Sequence, residues 1–466
     1  MKLGIPPTIA PAEELGAVHF IGVGGAGLSA IARIMVGRGI RVSGSDAKDS
    51  PLLAALASEG ITTYVGHAAE HLGGVDSVIA STAVKDDNAE VLEAQRRGLR
   101  LWPRSAGLQS VLMGSATVAV AGTHGKTTTT AMLTMALRAA GLDPSFAIGA
   151  EVANLGTNAH VGTGDVFVAE ADESDGAFLV YTPAGAVVTN VDADHLDNYG
   201  TVDAYRAAFA EFVDHVDEFV VLSADDRGAR DLAGPAKRAG LDVILAGWAE
   251  DADLQGHRLR IEDGFTRVDV TWHGVDVGVL SLRVPGRHYA SDALLAVAAG
   301  LRLGASFADL AAGIGEFTGA NRRMQLLGEA GGIRVYDSYA HHPVEIAGDL
   351  EAARSLVGSG RLVVCFQSHL VSRTRIFGAE MGRQLDAADV VVVAEIYLAR
   401  EEPDPAVTPR LILDEIHTAK THQGRTLDQL AAQLFEIARP GDLVLTLGAG
   451  DITTVGPQLL SLLGDA

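Results

Sequence analysis

The stretch ATVAVAGTHGKTTTT, residues 116–130, decides how the middle of this chain folds. Its first six residues are small or β-branched, which predicts a buried strand. The glycines that follow predict a phosphate-binding loop, because they let backbone N–H groups face a phosphate and the next helix begins with positive potential. The loop is short: only Thr123 and His124 separate Gly122 from Gly125, and Val120 stands where the first glycine of a standard P-loop would be.

This loop predicts ATP binding. Lys126 is expected to reach the β- and γ-phosphates, and the Thr127 hydroxyl is expected to bind Mg²⁺. The alternative is a plain glycine turn before a threonine-rich helix. The predicted ATP-binding residues of the loop are Gly122, Thr123, His124, Gly125, Lys126, Thr127 and Thr128.

Bulk composition limits the possible classes of protein. The 466 residues favour about three domains. The net charge of −23 argues against a nucleic-acid or membrane partner, so anionic substrates require local clusters of cations and helix ends. A single cysteine, Cys365, lies in an apolar run and predicts a buried thiol in a reducing compartment. No signal peptide or membrane-spanning stretch is evident, so we expect a cytoplasmic protein.

Short apolar strands alternate with Ala/Leu-rich helical stretches along the chain, which predicts an α/β fold with mostly parallel sheets. Three strands open into candidate binding loops, at residues 18–23, 116–121 and 362–366. We therefore predict three domains, at residues 1–112, 113–322 and 323–466.

The first of these openings matches a dinucleotide-binding pattern. Gly22, Gly24 and Gly27 form G-x-G-x-x-G after a strand, and Asp46 follows about 20 residues later. The pattern fits NAD, but a separate ATP loop downstream favours another diphosphate ligand, such as a nucleotide-sugar. Hydroxyls at Ser81 and Thr82, after the strand 77–80, suit phosphate or sugar contacts, although a plain turn is equally compatible.

Two acidic segments follow the ATP loop. Residues 170–176, EADESDG, place four carboxylates after a short strand and fit Mg²⁺ coordination, with a solvated acidic turn as the alternative. His195, between carboxylates at the end of another strand, is a candidate second metal ligand or a structural histidine. Two metal ions would hold the ATP phosphates and orient an acceptor oxygen.

Taken together, the motifs resemble the Mur ligase family over essentially the full length. The H-H-P-V-E-I and S-R-T blocks favour the type that adds L-alanine. The motifs that carry the resemblance are HFIGVGGAG (19–27), SGSD (43–46), AGTHGKTTTT (121–130), EADESDG (170–176), NVDADHLDNYG (190–200), PGRH (285–288), NRR (321–323), DSYAHHPVEI (337–346), FQSHLVSRT (366–374) and GAGDI (448–452).

The resemblance implies a three-domain ligase: an N-terminal Rossmann-like domain for UDP-N-acetylmuramate, a central MgATP-binding domain of P-loop type, and a C-terminal Rossmann-like domain for L-alanine. It implies that ATP phosphorylates the lactyl carboxylate of the sugar and that the amine of alanine attacks the acyl phosphate. A monomer or a homodimer is compatible with it. The residues that it assigns to the UDP-sugar are Gly22, Gly24, Gly25, Ala26, Gly27, Ser45, Asp46, Ser81 and Thr82.

The same resemblance assigns catalytic roles to Lys126, Glu173, His195, Arg323 and His342. Thr127, Glu173 and His195 would hold Mg²⁺. His288, Asp292 and Arg323 would join the ATP site, and the alanine site would comprise Tyr339, His341, His369 and Arg373.

The sequence departs from the family pattern at several positions, which are Asp292 and Tyr289 for the usual Asn, Ser338 for Asp, Leu370 for Arg, Ser368 for Pro and Ala177 for Ser. These departures leave adenine recognition more dependent on His288 and the alanine carboxylate more dependent on Arg373.

Three alternatives remain. The nearest is a recycling ligase that attaches an intact murein tripeptide to the same nucleotide-sugar. An NAD-dependent dehydrogenase would rest only on the first glycine loop and Asp46. The dehydrogenase would leave Lys126, Glu173 and His195 without a role. The third alternative is a non-catalytic nucleotide-sugar sensor, and the presence of Lys126, Thr127, Glu173 and His195 argues against it.

Overall fold

The computed structural model describes residues 3–262, 265–399 and 401–464. The α/β class is confirmed, because the chain forms three sheet-containing domains with helices between the strands. Among the residues described, no helix has both the length and the apolar character needed to cross a bilayer.

The N-terminal sheet is entirely parallel. Its elements are β1 (Val18–Ile21), α1 (Ala26–Gly37), β2 (Val42–Asp46), α2 (Pro51–Ser58), β3 (Thr62–Val65), β4 (Ser77–Ala80), α3 (Ala89–Arg97), β5 (Arg100–Pro103) and α4 (Arg104–Leu112). The strand order is β3-β2-β1-β4-β5, so β2 and β3 lie on one side of β1, and β4 and β5 lie on the other. The glycine loop after β1 therefore lies at the switch point where parallel sheets bind ligands.

The central sheet has ten strands. Its elements are β6 (Ala116–Ala121), α5 (Lys126–Ala139), β7 (Ser145–Val152), β8 (Thr157–His160), β9 (Val166–Glu170), β10 (Gly185–Val188), α6 (Leu196–Tyr199), α7 (Val202–Asp214), β11 (Phe219–Ser223), α8 (Arg227–Asp231), α9 (Ala233–Arg238), β12 (Asp242–Gly247), β13 (Leu254–Glu262), β14 (Phe265–Trp272), β15 (Val275–Leu282), α10 (Arg287–Arg302) and α11 (Phe307–Gly315). The strand order is β15-β14-β13-β12-β11-β10-β6-β9-β7-β8.

Strand β6 lies between β10 and β9 and is parallel to both. The carboxyl ends of all three strands therefore meet at one edge of the sheet. The phosphate loop leaves β6, the acidic segment leaves β9, and the segment with His195 leaves β10.

The C-terminal sheet has six strands. Its elements are β16 (Gln325–Ala330), β17 (Ile333–Ser338), α12 (Pro343–Val357), β18 (Leu362–Phe366), α13 (Val371–Leu385), β19 (Val390–Val393), α14 (Arg410–Leu413), β20 (Lys420–Gln423), α15 (Leu427–Ile437), β21 (Leu443–Leu447) and α16 (Val455–Gly464). The order is β16-β17-β21-β18-β19-β20, and only β16 runs antiparallel to its neighbour. Cys365 is fully buried in β18, as the sequence predicts, and burial raises the pKa of its thiol to about 12.

By compactness the chain divides into two units. The first runs to residue 257 and also contains 269–280 and 291–317, so it holds both the N-terminal sheet and most of the central one. The second contains 258–262, 265–268, 281–290 and the chain from residue 318 onward. In this division, parts of β13–β15 group with the C-terminal sheet, and the three-domain limits predicted from the sequence stay a prediction.

Within the first unit, helix α1 joins the N-terminal part to the central sheet by packing on β7 and β8. The buried Asn158 of β8 donates to the Ala26 carbonyl over 2.8 Å and accepts from Arg33 over 2.5 Å. The glycine loop that precedes α1 is thereby fixed relative to the sheet that carries the phosphate loop.

Candidate active site

The phosphate loop is fastened to the neighbouring strand end. The Thr123 N–H donates to the Asn190 carbonyl over 3.1 Å, and the His124 N–H donates to the Asn190 side chain over 2.8 Å. Gly125 precedes α5 with a φ of +80°, a conformation that favours glycine. The N–H groups of the first turn of α5 therefore emerge at a loop whose backbone is already held.

Gly122 allows the loop to lie close to β10. A β-carbon at this position would overlap the Thr189 hydroxyl, and the φ of +139° is itself unfavourable for other residues. The Thr189 hydroxyl donates in turn to the His124 carbonyl. The loop can therefore approach β10 closely only because Gly122 has no side chain.

Lys126 is the cation of this loop. Its ammonium donates to the carbonyls of Gly122 and Thr123 over 2.6 and 3.0 Å and lies 2.7 Å from the Glu173 carboxylate. Burial alone would lower the pKa of Lys126, but Glu173 and the neighbouring carboxylates outweigh burial and raise it. The side chain is therefore a cation, only 14% exposed, at the position predicted for the transferring phosphate.

Thr127 and Thr128 follow Lys126 in the first turn of α5 and are both buried. The Thr127 hydroxyl donates to the Glu170 carboxylate over 3.1 Å, and the other carboxylate oxygen of Glu170 accepts the Gly149 N–H over 2.7 Å. Because the hydroxyl proton points to Glu170, the lone pairs of the Thr127 oxygen can accept a cation.

The acidic segment after β9 is not a uniform group of carboxylates. Glu170 and Glu173 pair with groups of the phosphate loop, as described above. Asp172 accepts from Arg104 over 3.0 Å, and Asp175 accepts the Ala177 N–H over 3.0 Å. From the sequence, Glu173 is the residue of this segment assigned to Mg²⁺, and that role stays a prediction.

His195 lies beside Glu173. Its φ of +51° places it just before α6, and its Nε2 atom is 3.6 Å from Oε1 of Glu173 and 3.6 Å from Oδ2 of Asp194. Two tyrosines enclose the same glutamate: the Tyr199 hydroxyl donates to its carbonyl over 2.5 Å, and the Tyr205 hydroxyl is 3.4 Å from its carboxylate. The hydroxyl of Thr127 and the carboxylate of Glu173 are hard oxygen donors, which fit Mg²⁺.

The first glycine loop is braced by Asp46, whose carboxylate accepts the Gly24 N–H over 2.9 Å. A β-carbon at Gly24 would lie 2.7 Å from that carboxylate, so the contact requires glycine. Ser81, after β4, lies against Gly22. Gly25, Ala26 and Gly27 form the start of α1, whereas Thr82 lies exposed in the turn beyond Ser81.

Ser45 takes part in a different cluster. Its hydroxyl donates over 2.6 Å to Glu90, a fully buried carboxylate that also lies 2.6 Å from His71 and 3.0 Å from His67. Burial alone would raise the pKa of Glu90, but its hydrogen bonds to His19, Ser45 and His71 lower it to about 2. Sequence reasoning missed this cluster because its members come from separate elements.

The two residues predicted to contact adenine lie on α10, in different units. In the first unit, a β-carbon at Gly125 would collide with the Asp292 carboxylate, so Asp292 packs against the phosphate loop. In the second unit, His288 lies 3.8 Å from Asp349, and burial lowers the pKa of its imidazole to about 4. His288 is therefore neutral at pH 7.

In the second unit, the two arginines of the N-R-R motif have different partners. Arg322 pairs with Asp337 over 3.2 Å and donates to the carbonyls of Gly448 and Gly450, so it links strand ends of the C-terminal sheet. Arg323 lies 3.6 Å from Glu345. Sequence reasoning assigned only Arg323 to the site and did not single out Glu345.

Glu345 organises the histidine pair before α12. Its carboxylate accepts the N–H groups of His341 and His342 over 3.0 and 3.3 Å. His342 caps α12 and is buried with its ring 4.8 Å from that of Phe377. The structure thus gives His342 a capping role, and its catalytic role stays a prediction.

The four residues predicted to bind the amino acid form one cluster. The ring centroids of Tyr339 and His341 are 5.3 Å apart, and those of His341 and His369 are 6.1 Å apart. Nδ1 of His369 lies 3.4 Å from the largely buried guanidinium of Arg373. A cation flanked by imidazoles and a phenol is suited to a small carboxylate.

The Mur ligase family, catalytic domain matches residues 17–114, the Mur ligase middle domain matches 120–300, and the Mur ligase, glutamate ligase domain matches 322–450. A relative from Nocardioides sp. (strain ATCC BAA-499 / JS614) is 55% identical over 99% of this chain and 100% of its own length. The chain belongs to the Mur ligase family.

That Nocardioides relative is a UDP-N-acetylmuramate–L-alanine ligase. Among solved structures, a UDP-N-acetylmuramate–alanine ligase from Thermotoga maritima is similar with a TM-score of 0.80 and 28% identity, covering 96% of this Mur ligase and 98% of that chain. A UDP-N-acetylmuramate:L-alanyl-γ-D-glutamyl-meso-diaminopimelate ligase from Neisseria meningitidis is similar with a TM-score of 0.60 and 28% identity, covering 66% of this chain and 99% of that chain.

We predict that the free energy of unfolding of the Asp349→Asn variant of this Mur ligase increases relative to that of the wild type as the pH rises from 4 to 7. Burial raises the pKa of Asp349 to about 7, although the Ser338 hydroxyl donates to it over 2.5 Å. The pKa of Asp349 is therefore higher in the folded protein than in the unfolded chain. Its contribution to the free energy of unfolding is complete below the unfolded pKa and is lost as the pH rises through 7. The loss approaches about 1.4 kcal/mol per pH unit.

The measurement is thermal unfolding of wild type and variant between pH 4 and pH 9. Glu351→Gln, on the exposed part of the same helix, is the matched control. A difference between wild type and Asp349→Asn that stays constant over this range would contradict the prediction.

Proposed function

We propose that this protein joins L-alanine to the lactyl carboxylate of UDP-N-acetylmuramate with hydrolysis of ATP to ADP and phosphate. The carboxylate attacks the γ-phosphate and forms an acyl phosphate. The amine of alanine then attacks the acyl carbon, and the tetrahedral intermediate expels phosphate. The product is UDP-N-acetylmuramoyl-L-alanine, a precursor of peptidoglycan.

The observation that carries the proposal is the largely enclosed ammonium of Lys126 at the phosphate loop, 2.7 Å from the buried Glu173 carboxylate. A cation held in a low-dielectric site stabilises the negative charge that spreads over the transferring phosphoryl group. The loop also supplies the N–H groups at the start of α5 for the phosphates. The 55% identical ligase from Nocardioides supports the choice of substrates.

Thr127, Glu173 and His195 are the proposed Mg²⁺ ligands. The ion would neutralise phosphate charge and orient the acceptor carboxylate. The Thr127 hydroxyl, which donates to Glu170, supports this role because its lone pairs are directed away from that hydrogen bond. Glu173 supports it as a carboxylate that also pairs with Lys126.

The remaining assignments follow the same proposal. His288 and Asp292 bind the adenine. The residues proposed to bind the nucleotide-sugar are Gly22, Gly24, Gly25, Ala26, Gly27, Ser45, Asp46, Ser81 and Thr82. Arg323 and His342 act at the reacting phosphate, and the cluster of Tyr339, His341, His369 and Arg373 binds alanine. We also propose domain limits at 1–112, 113–322 and 323–466, a cytoplasmic location, and a monomer or homodimer.

The decisive test is phosphate release from MgATP in the presence of UDP-N-acetylmuramate. L-Alanine, glycine, L-serine and an L-Ala–D-Glu-containing tripeptide are offered separately as acceptors. We expect release that requires the sugar and is fastest with L-alanine. Release only with the tripeptide would identify a recycling ligase, and the absence of release with every acceptor would refute the proposed reaction.

Lys126→Ala should reduce phosphoryl transfer by roughly 10³-fold or more, because a single preorganised charge in such a site contributes on that scale. The affinity for UDP-N-acetylmuramate should change little, since the first glycine loop is a separate site. Stopped-flow phosphate release and calorimetric binding measure the two quantities. Lys237→Ala, an exposed lysine on α9, is the control, and equal losses of both quantities in Lys126→Ala would contradict separate sites.

Arg373→Met should raise the KM for L-alanine by about 10- to 100-fold, the scale expected for losing a hydrogen bond to a charged group. The KM for UDP-N-acetylmuramate should stay near the wild-type value. The matched control is Arg375→Met on the same helix, where the side chain is 55% exposed and pairs with Asp404. An unchanged KM for alanine in Arg373→Met would remove Arg373 from the amino-acid site.

A further inference from the structure

Arg104 is a cation that sequence reasoning did not single out. It is the first residue of α4, directly after β5, so it stands at the same sheet edge as the glycine loop after β1. Its side chain is only 24% exposed, and one guanidinium nitrogen donates to Asp172 over 3.0 Å. Arg104 therefore joins the N-terminal sheet to the acidic segment of the central sheet.

The guanidinium also lies over the first turn of α1. A β-carbon at Gly27 would be 3.0 Å from Cδ of Arg104 and 3.1 Å from Nη1. This turn is where the glycine loop presents its N–H groups to an anionic ligand. Arg104 thus adds a full positive charge to the helix end, in a chain whose net charge is −23.

Asp172 connects Arg104 to the phosphate loop. One of its oxygens accepts from Arg104 and the other accepts the Ser174 N–H over 3.1 Å, so the backbone on both sides of Glu173 is held. Glu173 in turn pairs with Lys126.

We propose that Arg104 is a positioning residue shared by the two nucleotide sites: one edge of its guanidinium binds the pyrophosphate of the nucleotide-sugar, and the other fixes Asp172 and hence the Glu173–Lys126 pair. This inference rests on the proposed function. The planar guanidinium has five N–H donors, so one side chain can serve both anions. A ligand that orders Arg104 reduces the ordering entropy that the second ligand must lose, and the two ligands therefore bind with positive coupling.

The experiment is titration calorimetry without L-alanine, in the presence of Mg²⁺. UDP-N-acetylmuramate is titrated into the full-length protein with and without a non-hydrolysable ATP analogue, and the analogue is titrated with and without the sugar. In the wild type each ligand should bind more tightly when the other is present. Arg104→Met should weaken sugar binding by about 10- to 100-fold and abolish the coupling.

Asp172→Asn separates the two roles of Arg104. It should leave the affinity for the sugar alone within a few-fold of the wild type but abolish the coupling, because the arginine remains while its link to Glu173 is weakened. Arg104→Lys should recover part of the sugar affinity without the coupling, since an ammonium cannot bridge both anions in one plane. Arg96→Met, at a side chain 72% exposed, is the control for the loss of one positive charge and should behave as the wild type.

The outcomes distinguish this inference from the proposed function. A wild type that does not bind UDP-N-acetylmuramate refutes the proposed function. A wild type that binds both ligands without coupling, or an Arg104→Met variant with wild-type affinities and coupling, overturns the role of Arg104. If Arg104→Met does not fold because Asp172 is left without its cation, Arg104→Lys, Asp172→Asn and the double variant Arg104→Met/Asp172→Asn carry the same test.

Discussion

The buried ion pair between Lys126 and Glu173 is the contact around which the first unit is arranged. It joins the loop after β6 to the segment after β9, two adjacent strands whose carboxyl ends meet at one edge. Leaving either charge buried alone would be strongly unfavourable, which explains why so many polar groups surround the pair. Carbonyls of the loop enclose the ammonium, Tyr205 and His195 lie beside the carboxylate, and the Tyr199 hydroxyl donates to the main-chain carbonyl of Glu173.

The acidic composition of the chain imposes a second constraint on the same edge. Carboxylates that would repel a nucleotide are each matched with a donor: Glu170 with Thr127 and Asp172 with Arg104. The carboxylates of this segment are therefore held in fixed positions by their donors and do not create a diffuse negative potential. Local pairing of this kind lets a chain of net charge −23 offer helix ends and cations to phosphates.

The sequence was sufficient to predict the α/β class and the loops, because G-x-G-x-x-G and G-K-T each follow a short apolar strand. The resemblance to the family assigned Tyr339, His341, His369 and Arg373 to one site, and these four side chains are neighbours in the structure. The spacing of residues along the sequence does not indicate which side chains of distant elements form pairs. Arg104 with Asp172, and Glu90 with His67 and His71, depend on which strand ends meet in three dimensions. Arg104 did carry a signal, since an arginine directly after a parallel strand stands at the ligand-binding edge.

The position of Cys365 in β18 has a practical consequence. The only sulfhydryl of the chain is fully buried in the C-terminal sheet, so alkylating reagents can reach it only when that sheet opens. The rate at which Cys365 is labelled under native conditions therefore reports the opening of the C-terminal sheet. In the folded protein, a thiol-reactive fluorophore would label cysteines introduced on the surface and not the buried Cys365. Single-molecule distance measurements can therefore use the natural sequence without first replacing its cysteine.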